Sequence, residues 1–199
     1  MVLQISFEAI KGALGAAAEI QAFLASHGER YCLIGGLALP RWGQVRATQD
    51  ADVSLLCPFG SEPAAVDRLL AGFKGRRPDA REFALRQRVL LLWSSAGVGI
   101  DVALAALPFE ERCVGRASDW TVPPGVALKT CCAEDLVVLK AFAGRPQDWI
   151  DVESVLVRQR QILDWRLIVR ELKPLLELRE TPEQLEKLQQ LRRRIEKGA

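Results

Sequence analysis

The chain has 199 residues, 49% hydrophobic and 26% charged, enough apolar material to bury a core in one domain or in a domain with a small appendage. Its 27 lysines and arginines nearly balance 25 aspartates and glutamates, so overall charge does not mark it as a nucleic-acid binder, and a lone histidine with five cysteines lacking a C-x-x-C pair argues against a zinc site. The first residues lack a basic start followed by an apolar run, and no apolar stretch approaches the ~18 residues of a membrane span, so a cytoplasmic chain without membrane attachment is expected.

In chain order, Ser6 is placed to cap a helix with Phe7, Ile10, Leu14, Ala17, Ala18 and Phe23 at near-helical spacing, ending near His27 and Gly28. Residues 31–34 read as a buried strand closed by Gly35-Gly36, which leads into a short helix toward Trp42. A strand over 51–56 stops at Pro58 and Gly60, and a helix follows over 62–73. Residues 88–93 and 99–105 read as a hairpin turning through 94–98, and 108–114 as a short helix. Strands and helices therefore alternate, an α/β pattern, up to Pro123-Pro124-Gly125, which reads as a junction. Beyond it helices are expected to dominate, over 133–143, 147–158, 164–178 and 182–197, with Thr181 and Gln184 forming a capping box around Pro182.

Three aspartates carry the chemistry. Asp50 and Asp52 are two residues apart at the start of a strand, so the pleat sends both to one face and Ala51 and Val53 to the other. Asp101 lies between Ile100 and Val102 in a separate apolar strand, where a charge is costly unless paired, solvated or bound to metal. Converging carboxylates repel one another, and a divalent cation removes that conflict. Mg²⁺, which combines carboxylates with water and phosphate oxygens, suits such a set. The plainer readings are a solvated strand entrance for the pair and a tolerated core charge for Asp101. With thirteen residues between Gly36 and Asp50, Gly35-Gly36 offers either a simple turn or backbone amides that approach a phosphate closely, backed by the positive end of a helix.

Gly35-Gly36, then Arg46-x-Thr48-x-Asp50-x-Asp52, then the strand-borne Asp101, resemble the DNA polymerase β-type nucleotidyltransferase superfamily, specifically its AbiEii toxin-like branch. Residues 134–152, with Lys140, the turn Ala143-Gly144-Arg145 and the pair Asp148 and Asp151, are similar to a helical motif of that branch. The resemblance spans roughly residues 31–156. It implies a mixed β-sheet flanked by helices, with a catalytic domain over 1–125 and a C-terminal helical region over 126–199 completing the nucleotide site. It also implies two Mg²⁺ ions, replaceable by Mn²⁺, with Asp50 and Asp52 holding both and Asp101 the catalytic one. Gly35, Gly36, Arg46, Thr48, Lys140 and Asp148 would bind the nucleotide. The implied reaction moves a nucleotide from a nucleoside triphosphate to an acceptor hydroxyl, on RNA, a protein or a small molecule, with Asp101 placed to receive the acceptor proton. Membership of the branch would further imply a toxin with an antitoxin protein as partner. The competing class is a catalytically silent nucleotide-binding or partner-binding module of the same fold.

The chain departs from the branch at Gln147, where a basic residue is usual. Lys140 shares an apolar helix with Leu136, Val137 and Leu139, and its ammonium is expected to reach a triphosphate, Asp148 or solvent. Lys74, Arg76, Arg77, Arg81, Arg86 and Arg88 form a basic stretch that reads either as a track for an RNA backbone or as a solvated surface.

Overall fold

The computed structural model describes residues 10–122 and 125–198, so Ser6, Phe7, Pro123 and Pro124 fall outside the described residues. The chain divides into two compact units, one of Met1–Ala38 with Arg46–Cys131 and the other of Leu39–Val45 with Cys132–Ala199.

The first unit is built on a seven-stranded sheet. Its strands are β1 Tyr31–Ile34, β2 Asp50–Leu56, β3 Lys74–Gly75, β4 Val89–Trp93, β5 Gly99–Ala105, β6 Ser118–Val122 and β7 Val126–Thr130, in the spatial order β3-β4-β5-β2-β1-β7-β6. The sheet is mixed, as expected: β2 runs parallel to β5 and β1 parallel to β7, while the other neighbours are antiparallel. Helices α1 Lys11–Ser26, α3 Glu62–Gly72, α4 Ala80–Gln87 and α5 Pro108–Arg116 flank it, and α2 Gly35–Trp42 leaves the end of β1. Ala13, Ala16, Ala17, Ile20 and Leu24 form the buried stripe of α1. They join Ala51, Val53, Leu90, Leu92, Ile100 and Val102, every second residue of the central strands, in one core. The helix ends where His27 Nδ1 lies 2.8 Å from the Phe23 carbonyl oxygen and Gly28 turns left-handed at φ 67°.

The boundary expected at 125/126 falls inside a pair of strands. Val122 opposes Val126 in the antiparallel β6–β7 ladder, and Thr130 lies beside Leu33 of β1. Side-chain alternation explains the assignment: Leu128 and Thr130 are buried while Ala127 is exposed and Lys129 partly exposed, a half-covered strand rather than a linker. The two-residue β3 and the helix α4 lie in the basic stretch, where no apolar period announced them.

The second unit contains α6 Ala133–Ala143, α7 Pro146–Gln159, α8 Trp165–Arg179 and α9 Glu183–Lys197. Leu136, Val137, Val138, Ala141 and the polar Asp135 and Lys140 are all buried, so α6 is apolar around most of its girth and packs against the three others. It stops at Gly144, φ 68°. Asp164 caps α8 by accepting from the Arg166 and Leu167 amides at 2.9 and 3.1 Å. Residues 39–45 join this unit because Arg158 Nη1 donates to the Gly43 carbonyl at 2.7 Å and Gln159 Nε2 to that of Trp42 at 2.9 Å. The capping box expected at Thr181 and Gln184 does not form. Pro182 occupies the cap position, and Thr181 Oγ1 and Gln184 Oε1 are buried without partners. Among the described residues no helix is long and apolar enough to cross a membrane.

Candidate active site

Strand register brings the three aspartates together on one face of the sheet. In the parallel β2–β5 pair, Asp52 stands directly beside Asp101 and Asp50 beside Gly99. Residues directly opposite in neighbouring strands point the same way, and so do residues two apart in one strand. Asp50, Asp52 and Asp101 thus share the face opposite the core residues Ala51, Val53, Ile100 and Val102, and each is partly exposed.

The end of β1 closes on this group. Ile34 pairs with Asp52, and the next residue, Gly35, adopts φ 65° as α2 begins. A methyl group at Gly35 would lie 2.6 Å from Asp52 Cγ, and one at Gly36 would lie 3.0 Å from Thr48 Cβ. Only glycines let the backbone pass so close. The Gly36 amide points at Asp52 Oδ2 from 3.4 Å, so the positive end of α2 faces the carboxylates. Thr48 lies in the loop before β2. Arg46, in the same loop, donates to the Ala47 carbonyl at 3.1 Å.

Arg76, just beyond β3, is a site residue that sequence reasoning missed. It forms an ion pair with Asp101 and stacks toward Trp93, whose ring centroid is 5.6 Å from the guanidinium carbon. Burial raises the Asp101 pKa, Arg76 opposes that rise, and Asp50 adds to it. Arg77, Arg81 and Arg88 are also paired locally, which favours the solvated-surface alternative over a track for RNA. Arg77 pairs with Asp79, Arg81 with Asp67 at 2.7 Å, and Arg88 with Glu62. Arg88 additionally donates to the Cys57 carbonyl at 2.6 Å and to that of Leu104 at 2.9 Å.

Among the described residues no three His, Cys, Asp or Glu side chains are gathered as a ready-made metal cage. The donor chemistry of Asp50, Asp52 and Asp101 still fits a hard cation, because all three offer carboxylate oxygens on one partly exposed face, and Mg²⁺ needs only some of its ligands from protein. What stands against Asp101 at present is the Arg76 guanidinium.

In the second unit, Lys140 is paired twice. Its Nζ lies 3.0 Å from Asp148 Oδ1 and 2.7 Å from Asp151 Oδ2, with all three side chains buried. Arg145 Nε donates to Asp148 Oδ2 at 2.6 Å, and Gln147 Nε2 to Asp151 Oδ1 at 3.1 Å. Burial alone would raise the Asp148 pKa, but the hydrogen bonds and charges of Arg145 and Lys140 outweigh it and hold it below the usual value. Of the alternatives for Lys140, the structure realises the bond to Asp148. Gln147 serves this cluster as a neutral donor.

No family model and no curated protein matches the sequence. Among solved structures, the chain is similar to the antibiotic-resistance factor ANT(2'')-Ia, at 18% identity over 85% of this chain and 92% of that one, but a TM-score of 0.44 is too loose to carry an argument. It is also similar to an antigenic nucleotidyltransferase-like protein from Paracoccidioides brasiliensis, at 15% identity, with a TM-score of 0.53 over 90% of this chain and 93% of that one. At such identity the likeness is one of fold alone: the α/β arrangement of a mixed sheet with flanking helices matches that of this nucleotidyltransferase-like neighbour.

Proposed function

We propose that this chain is a metal-dependent nucleotidyltransferase that transfers a nucleotide from a nucleoside triphosphate to an acceptor hydroxyl. The observation that carries this reading is the register of Asp52 beside Asp101, with Asp50 on the same face and Gly35 packed against the Asp52 carboxylate. Asp50, Asp52 and Asp101 would hold Mg²⁺ or Mn²⁺, which when bound supplies charge neutralisation for the triphosphate and activation of the acceptor hydroxyl. The protein's own part is positional. Gly35 and Gly36 let the start of α2 close on Asp52 and Thr48, and the backbone amides there would favour a phosphate. Asp101 would take the acceptor proton as the hydroxyl attacks. An AbiEii-like toxin acting with an antitoxin protein is the finer form of the proposal, supported by the sequence pattern over residues 134–152.

The silent-module reading has one observation in its favour, the Arg76 guanidinium on Asp101. Pyrophosphate release separates the two. Each of the four nucleoside triphosphates is incubated with Mg²⁺ and pooled RNA, protein extract or small hydroxyl compounds as acceptor. Release is expected from the wild-type chain and from neither Asp50→Asn nor Asp52→Asn, both with unchanged circular dichroism. Wild-type rates in either variant refute the assignment.

A further inference from the structure

We propose that Arg76 is a resident counter-cation of the carboxylate site: its guanidinium holds Asp101 while no metal is bound, and a divalent ion gains Asp101 only as that guanidinium moves aside. The inference rests on the nucleotidyltransferase reading of Asp50, Asp52 and Asp101. Arg76 Nη2 pairs with Asp101 Oδ1, and the other terminal nitrogen lies over Gly99. A methyl group at Gly99 would stand 2.7 Å from Arg76 Nη1 and 3.4 Å from Asp50 Cβ, so the missing side chain at residue 99 is what admits the guanidinium beside Asp101, next to the position of Asp50. One positive group thereby does for Asp101 what a metal ion would do, relieving carboxylate repulsion at short range.

Four further features make the arrangement reversible. The backbone of Arg76 is anchored, its amide donating to the Leu91 carbonyl at 2.9 Å, so movement is confined to the long side chain. Arg76 Nε is buried without a hydrogen-bond partner, so the paired position leaves one donor unsatisfied. Trp93, 39% exposed and paired across the β4–β5 ladder with Gly99, already has its ring centroid 5.6 Å from the guanidinium carbon, so the side chain has an aromatic neighbour to keep as it swings off Asp101. The Arg76 and Asp101 side chains are 21% and 31% exposed, so solvent ions have access to the pair.

Calorimetric titration of the nucleotide-free chain with MnCl₂ tests this. If the paired arrangement dominates by roughly nine to one, removing it tightens the apparent ion affinity about tenfold. Arg76→Gln is therefore expected to lower the Mn²⁺ dissociation constant by about that factor. Gly99→Ala, which keeps the charge but crowds Nη1, is expected to lower it in the same direction and decides the matter if Arg76→Gln does not fold. Arg77→Gln removes an equal charge that is already paired with Asp79, and is expected to leave the constant unchanged. The inference is overturned if Arg76→Gln and Gly99→Ala bind Mn²⁺ no more tightly than wild type, or if Arg77→Gln tightens binding as much as Arg76→Gln. Asp52→Asn distinguishes the two levels. Where it abolishes Mn²⁺ binding, a null result at Arg76 defeats this inference alone; where it leaves Mn²⁺ binding intact, the carboxylate site itself fails and the inference with it.

Discussion

Replacing Gly35 by alanine strikes the site at its tightest point. The new methyl would lie 2.6 Å from Asp52 Cγ, on a residue held at φ 65°. Gly28→Ala is the matched control, because Gly28 sits at φ 67° with nothing within 4 Å of its added methyl. Left-handed backbone strain in an alanine costs about 1–2 kcal/mol, so Gly28→Ala is expected to lose that much stability and no activity. Crowding a packed position adds about 1–3 kcal/mol, bringing Gly35→Ala to a total loss of about 2–5 kcal/mol. For a chain of this size each kcal/mol corresponds to about 2–4 °C in Tm. Activity separates the two more sharply, since a shift of about 1 Å in a catalytic carboxylate costs about a hundredfold in rate. Urea unfolding followed by circular dichroism gives the stabilities, and triphosphate-dependent pyrophosphate release gives the rates. The reasoning fails if folded Gly35→Ala transfers nucleotide within roughly threefold of Gly28→Ala.

The buried cluster of the second unit gives two more expectations. Lys140→Ala leaves Asp148 and Asp151 without their shared ammonium, and urea unfolding should show a loss of about 3 kcal/mol, less than the full range because Arg145 and Gln147 still donate. A loss below about 1 kcal/mol, together with about a tenfold weaker nucleotide affinity, would instead return Lys140 to the phosphate-binding role that the sequence suggested. The pH dependence follows from Asp148, whose folded pKa lies below its unfolded value near 3.9. Its contribution is complete above about pH 5, where the unfolded carboxyl is fully ionised, and is lost progressively as pH falls toward the lower folded value. Urea midpoints between about pH 6 and 3 should therefore drop more steeply at the acid end for wild type than for Asp148→Asn, and parallel curves would contradict the assignment.

Much of the site was written locally. The Asp50-Ala51-Asp52-Val53 alternation already placed two carboxylates on one face, and Gly35-Gly36 already marked the close approach at the end of β1. Asp101 could be suspected because it interrupts an apolar strand. That it lies beside Asp52 depends on parallel pairing between strands roughly fifty residues apart, which no local pattern encodes. Arg76 was hidden for the same reason. Its sequence neighbours are equally basic, and only the β3–β4 register, Gly75 opposite Leu92, carries its side chain to Asp101 rather than to solvent. The β6–β7 pair was obscured by Pro123-Pro124-Gly125, a tripeptide that reads as a linker although the residues on either side alternate as strands. The expected capping box failed because the match at Thr181 and Gln184 says nothing of what packs there: Gly144 lies against the Gln184 amide, and that burial overrides the local motif.

Asp101 supplies the most direct test of the three-carboxylate site. In Asp101→Asn the relief of carboxylate desolvation is offset by stranding the Arg76 guanidinium, so stability alone cannot decide the role of this residue. Transfer at saturating nucleoside triphosphate can. The variant is predicted to bind nucleotide through Asp50 and Asp52 yet release no pyrophosphate above background in the presence of Mg²⁺ and acceptor. A folded Asp101→Asn protein that transfers nucleotide at the wild-type rate would contradict the account.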